Sequence, residues 1–257
     1  MTALRHTYHL TIRQVRNFLR QPWFVALSLF QPIVYLLLFG ALFKKVVEIP
    51  GFTTNSYITF LTPGIVVMSA MFAGGWSGMG LIDDLDRGVM DRFLVAPTSR
   101  GAIMLGRVTP QVLTILIQTL IIVGLAVLVG GRFAGGVSGA VMLIVVSTLL
   151  SIGVASLSNG VALLLRKEES VIAVVNMVLL PLIFLSSAFL QQNLAPQWIQ
   201  DIARYNPDNW AIEAGRTALS SNATAHTVLT HTLYLLVFAV VCTWLATRAF
   251  RSYQRSV

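Results

Sequence analysis

An all-α, polytopic membrane protein with six transmembrane helices is the fold class this sequence predicts, and three observations predict it. The chain has 257 residues, of which 56% are hydrophobic and only 11% charged. A soluble domain carries roughly 25% charged residues, so this chain lacks the polar side chains to cover a water-facing surface. Six apolar stretches reach the roughly 20 residues that a helix needs to cross a bilayer. The basic residues sit mainly at the ends of those stretches, which is the pattern of membrane topology. The net charge of +8 and the pI near 10.3 are accounted for in that way, without nucleic acid as a partner.

The predicted spans are 24–43, 57–81, 108–129, 139–165, 171–190 and 229–247, within a single transmembrane domain over 1–257. The fourth and fifth are separated only by Arg166-Lys167-Glu168-Glu169-Ser170, the tight charged turn of a helical hairpin. An even number of spans puts both termini on one side. With the N-terminus inside, the inner segments hold thirteen Lys and Arg residues and the outer segments five, counted from the sequence. The positive-inside rule therefore places both termini in the cytosol. The residues ahead of the first span do not have the form of a cleaved signal.

The first segment, 1–21, has Leu4, Tyr8, Ile12, Val15 and Leu19 at helical spacing. Arg5, His9, Arg13, Arg16 and Arg20 lie mostly off that face. An amphipathic helix in the inner interface follows, with the arginines toward headgroups. The same surface is open to a second use, as a contact for a cytosolic partner.

Segment 82–107 is too long and too charged to be a mere connector. It holds four of the ten acidic residues, Asp83, Asp84, Asp86 and Asp91, and four arginines, Arg87, Arg92, Arg100 and Arg107. It has room for a helix on the membrane face, a Pro-Thr-Ser break and a run-in to the next span.

Segment 186–222 is too polar to span and too apolar to be a free linker. Two short helices fit, over 196–204 and 208–219, with an N-cap at Asp208 or Asn209. Trp198, Tyr205 and Trp210 suit an outer aromatic belt. The fifth span then ends in an extracellular or re-entrant helical hairpin.

Within the spans the polar residues are few. Gln31, Gln111, Gln118 and Asn176 are chiefly expected to make interhelical hydrogen bonds. No Asp, Glu, Lys or Arg lies in the middle of a predicted span. An ion-coupled carrier needs such a group, so secondary transport is disfavoured. Gly74, Gly75, Gly78 and Gly80 are expected to let helices approach closely. The single cysteine, Cys242, rules out an intrachain disulfide and fits a small packed residue. There is no GxxxxGK[ST] phosphate loop, HExxH, GxSxG or Cys/His ligand cluster, so the chain shows neither an enzymatic nor a metal site of its own.

The order of parts resembles the ABC-2 type permeases, the membrane subunits of ATP-binding-cassette exporters. The sharpest match is in the charged segment. Asp84 and Asp86 precede Arg87-Gly88, Asp91-Arg92 follow, and Phe93-Leu94-Val95-Ala96-Pro97 leads to Ser99-Arg100. The stretch DRGVMDRF is similar to the daunorubicin-resistance permeases of actinobacteria. Many members have Glu and a Thr-Leu pair where this chain has Asp91 and Val89-Met90.

The resemblance implies a subunit of the bacterial cytoplasmic membrane that pairs with a second permease, either another copy or a related chain, and with two cytosolic ATPase subunits. ATP and Mg would be bound there and not in this chain. It implies an ATPase-coupling role for Asp84, Asp86, Arg87, Gly88, Asp91, Arg92, Phe93, Leu94 and Pro97. Secondary contacts would come from Arg13, Arg16, Arg20, Glu168 and Glu169. The second and fifth spans would line the path of a drug-like, antibiotic or lipid-like substrate. Met68, Phe72, Asn176, Leu180 and Phe184 are the candidates there, although core packing is the commoner use of such residues. Export of a glycolipid or polysaccharide, and a six-span channel or sensor without an ATPase, remain the alternatives.

Overall fold

The computed structural model describes residues 22–50, 52, 54, 56–86, 100–220 and 224–254. The N-terminal segment 1–21 lies outside the described residues, as does the middle of the charged segment. Among the described residues the structure is entirely helical. It comprises α1 (Pro22–Leu42), a 3-10 turn (Lys44–Glu48), α2 (Tyr57–Gly75), α3 (Ser77–Asp86), α4 (Arg100–Leu128) and α5 (Gly136–Leu165). Then come α6 (Glu168–Phe184), a 3-10 turn (Gln192–Leu194), α7 (Gln197–Ala203), α8 (Pro207–Leu219) and α9 (Ala225–Gln254).

Four of these stretches are long and apolar enough to cross a membrane: Tyr57–Asp86, Gln111–Leu128, Gly136–Leu165 and Ala225–Arg248. A shorter apolar stretch, Ala26–Leu42, lies in α1. At 30 residues each, α5 and α9 are about 45 Å long, so their ends extend beyond a hydrocarbon layer about 30 Å thick. Leu229, Leu233, Val240 and Trp244 on α9 are exposed. So are Leu120 and Leu128 on α4. Outward apolar faces of this kind suit lipid and not water.

α5 is the hub, packed by α2, α3, α4, α6, α8 and α9. Small residues make this possible: Gly139, Ser147, Ser151, Gly153, Ala155, Ser158 and Ala162 are all buried along it. The backbones come close, as small residues allow in helix packing. α2 is the innermost span: 78% of its apolar window is buried, against 17% for that of α9. Phe60, Leu61, Ile65, Val67 and Met71 of α2 are among the largest fully buried side chains.

The hydrogen-bond ladder of the second span is interrupted. It breaks at Trp76 between α2 and α3. In an unbroken helix the Gly78 N–H would donate to Gly74 and the Met79 N–H to Gly75. Instead Met79 N–H donates to Trp76 O at 3.2 Å. Gly78 N–H donates to the Ser158 hydroxyl at 3.1 Å, and that hydroxyl donates to Gly75 O. The close packing expected of the glycines holds for three of the four. A Cβ at Gly74 would lie 2.7 Å from Ser151 O, one at Gly75 2.7 Å from Leu179, and one at Gly78 2.6 Å from Ser158 O. Gly80 faces open space, with nothing within 4 Å of a Cβ.

Two other expectations need correction. The fifth predicted span continues to residue 190, whereas α6 ends at Phe184. The carboxamide of Asn206 donates to Leu182 O at 2.6 Å and to Leu185 O at 3.3 Å. It thereby satisfies carbonyls that a helix end leaves without partners, and the chain turns. The N-cap of α8 is Asn206, not Asp208 or Asn209: its side-chain oxygen accepts from Asp208 N–H at 3.0 Å. Pro207 then occupies the first helical position, where its missing N–H costs nothing.

The hydrogen bonds expected within the bundle are present for two of the four amides. Gln111 reaches Ser151 across to α5, and the Gln118 amide donates to Ser28 O at 3.4 Å. Gln31 is exposed and Asn176 half-buried. Cys242 is a buried free thiol.

Candidate functional site

At one end of the bundle α3 carries charge out of the core. Leu81 and Ile82 are buried, and Leu85 packs against the same cluster. Asp83 and Asp86 face outward, with Asp84 half-buried between them. The helix is thus apolar toward α5 and α6 and acidic away from them. Of the predicted coupling residues, Asp84 and Asp86 stand on this helix. Arg87, Gly88, Asp91, Arg92, Phe93, Leu94 and Pro97 lie outside the described residues, and so do Arg13, Arg16 and Arg20. The chain is again helical from Arg100.

Glu168 and Glu169 are exposed in the first turn of α6, where the helix dipole favours negative charge. The hairpin that precedes them is two residues long. Arg166 adopts a left-handed conformation, φ 52°, which reverses the chain. Gly75 abuts Val175 and Leu179, so α3 descends beside α6 toward that acidic turn.

The five candidate path residues do not converge. Met68 is 3% exposed, inside the subunit core. Phe72 is half-buried and stacks on Trp76 with ring centroids 6.4 Å apart. Asn176 is half-buried, while Leu180 and Phe184 are exposed on α6. Phe184 stacks on Phe189 at 6.2 Å. Leu180 and Phe184, with Met177 and Val178, form an outward apolar edge on α6.

The opposite end holds a polar centre that sequence reasoning missed. The helices α7 and α8 stand where two short helices were expected, and α8 packs against α2, α5, α6 and α9. This carries charges that a linear map counts as exterior into the packed bundle end. Asp208 is fully buried, and neither carboxylate oxygen has a hydrogen-bond partner among the described residues. Burial pushes its carboxyl up to about 7, partly offset by the Ser186 hydroxyl nearby.

Arg216 lies over the Phe60 ring at 3.8 Å. It donates to Ser187 O at 2.8 Å, and to Phe60 O and the Ser187 hydroxyl at 3.3 Å. Burial lowers its guanidinium to about 10, opposed by the Glu213 carboxylate. Asn209 accepts from Ser187 N–H at 3.0 Å, and Glu213 sits 3.9 Å from His231 of α9.

Together these bonds tie the bend after α6 to α8. A cleft of about 390 Å³ opens beside them, lined by Phe60, Ser187, Gln191, Gln192, Glu213 and Arg216 among others. Of the expected aromatic belt, Trp198 and Tyr205 are exposed. Trp210 instead packs on Tyr234 at 5.4 Å and donates to Arg204 O at 2.7 Å. No group of three metal-ligating side chains occurs among the described residues.

A bundle of apolar helices with acidic residues at one end is the architecture of a membrane protein, and the comparison with known families gives its class. The chain belongs to the ABC-2 type transporter family, whose model matches residues 5–220. It is 33% identical over 214 residues to the ycf38 transport permease of Pyropia yezoensis, covering 82% of this chain and 73% of the relative. It is 28% identical over 192 residues to a daunorubicin resistance ABC transporter permease protein of Streptomyces coeruleorubidus, covering 75% and 67%. It is 26% identical over 214 residues to a doxorubicin resistance ABC transporter permease protein of Mycobacterium tuberculosis strain H37Rv, covering 83% and 75%.

Proposed function

We propose that this chain is the permease subunit of an ATP-driven exporter moving a hydrophobic or amphipathic substrate outward across a bacterial cytoplasmic membrane. It crosses the membrane six times, α1 and α6 completing the four long spans, with both termini in the cytosol. Two copies pair, and each takes one cytosolic ATPase subunit, which binds the ATP and Mg.

The family membership carries this reading, together with the relatives named for daunorubicin and doxorubicin resistance. Two structural observations support it. The acidic helix α3 follows the most buried span across the break at Trp76 and carries the start of the charged segment, so a force applied there acts on the core. The apolar edge of α6 at Leu180 and Phe184 is open to a second copy, and substrate would pass between the two.

In the coupling segment, Asp84, Asp86, Arg87, Asp91 and Arg92 would form ion pairs and caps with the ATPase, and Phe93 or Leu94 would insert as the anchor. Interfaces concentrate their energy in a few desolvated residues of that kind. Co-purification tests the reading. The detergent-solubilised permease, tagged and expressed with its co-encoded ATPase, is expected to retain that ATPase. Recovery of the permease alone under conditions that preserve its fold would contradict the proposal.

A further inference from the structure

The break in the second span is held by one side chain of a different helix, 80 positions away in sequence. Trp76 O, not Gly75 O, takes the Met79 N–H, which leaves Gly75 O without its helical partner. Gly78 N–H is turned away from the helix as well. The Ser158 hydroxyl meets both, accepting from Gly78 N–H and donating to Gly75 O. A second tie lies one residue further, where the Asn159 amide donates to the Ser77 hydroxyl at 3.3 Å. Ser158 is 4% exposed, so neither backbone group has water as an alternative, and a buried unpaired group of this kind is costly.

The alternative partners are inside the span itself. If α2 and α3 became collinear, Met79 N–H would return to Gly75 O and Gly78 N–H to Gly74 O. Ser158 would then be released and could bond back within α5, as Ser residues do in helices. The same backbone groups would therefore be satisfied in either of two arrangements, one clasped and one with a continuous ladder. Gly80 faces open space, whereas Gly78, Leu81 and Ile82 are buried and would have to slide against α5 and α6. Breaks in a helix have identifiable causes, and here the freed groups are taken by a hydroxyl of another helix.

We propose that Ser158 is a positioning residue for transport: its hydroxyl clasps the break at Trp76 and so sets the angle at which Ser77–Asp86 presents the charged segment. Release of the clasp swings α3 into line with α2. The part played by the swing in coupling rests on the exporter reading above; the clasp itself does not.

The test uses the full chain in nanodiscs, with nitroxide labels at Asp86→Cys and Leu164→Cys in a Cys242→Ala background. Both positions are exposed. Pulsed EPR distances are expected to show the clasped state as the dominant population. Ser158→Ala is expected to shift the ratio of states toward the continuous one by about tenfold, the scale of two lost hydrogen bonds. Ser158→Thr, which keeps the hydroxyl, restores the original ratio. Gly78→Ala opens the clasp from the other side, because its methyl would sit 2.6 Å from Ser158 Oγ, and it shifts the distances the same way.

In the unlabelled complex with the ATPase, Ser158→Ala is expected to lower substrate-stimulated hydrolysis about tenfold relative to basal hydrolysis, while Gly80→Ala leaves the ratio unchanged. Unaltered distances in both Ser158→Ala and Gly78→Ala overturn the proposal. Shifted distances in a permease that supports no ATP-dependent export at all would uphold the hinge and remove the exporter reading instead.

Discussion

Two residues of the hairpin show what a folded-back segment does to ordinary chemistry. Asp208 sits fully buried with its carboxyl pushed up to about 7 from 3.8. Between those values the folded protein holds a proton that the unfolded chain has released. Stability therefore falls as pH rises from about 4 to about 7, by about 4 kcal/mol at most. Asp208→Asn is expected to flatten that dependence, read from unfolding midpoints across this pH range. An unchanged slope would show that another group titrates. Asn206 does two jobs, capping α8 with its oxygen and the end of α6 with its nitrogen. Asn206→Ala is expected to cost about 2–4 kcal/mol, a lost cap plus newly unpaired carbonyls. Asn206→Asp keeps a cap oxygen but sets a carboxylate oxygen against the Leu182 and Leu185 carbonyls at a buried site, so it is expected to be no milder than Asn206→Ala in thermal unfolding.

At the scale of elements, the helices were largely legible because apolar run length and charge placement are local signals. The spans at 57–81 and 139–165 match α2 with α3 and α5 within a few residues. The two hairpin helices also emerge within one residue at each end. Less visible was the role of each polar residue. Asn206, Asp208 and Asn209 all have cap chemistry, and a preference of Pro207 for the first helical position was the available signal that selects Asn206. The glycines at 74, 75 and 78 were read correctly as close contacts, yet the break at Trp76 was not, because its cause, Ser158, is remote in sequence. Asp208 and Arg216 fell within the extracellular or re-entrant segment 186–222, and their burial was not legible because it depends on α8 packing on α2, α5 and α9. The coupling set was legible as charge and spacing alone. Only Asp84 and Asp86 of it, with Glu168 and Glu169, have described positions, and these four lie on helices that adjoin one another.

For the whole molecule, the account is that force enters at the charged arm and acts on a core with little slack. α2 belongs to the most buried span, and the break between it and α3 is tied by a hydroxyl on α5. At the far end the hairpin is stitched to α6 and α2 through Asn206, Asn209 and Arg216. Movement of α3 is then transmitted to α5 and α6, both of which touch α8. That connection predicts a long-range effect: Arg216→Ala, at the hairpin, is expected to weaken substrate stimulation of ATP hydrolysis while leaving ATPase binding intact, checked by hydrolysis assays on the co-purified complex. The central claim concerns the arm, where the charge-reversed pair Asp91→Lys with Arg92→Glu tests it most directly. In proteoliposomes carrying the permease and its co-encoded ATPase, wild-type protein is expected to extrude an amphipathic dye on addition of ATP. The charge-reversed permease, equally well folded and inserted, is expected to lose at least about tenfold of that rate, the scale of a disrupted interface hot spot. Undiminished ATP-driven extrusion by the charge-reversed permease would contradict the account.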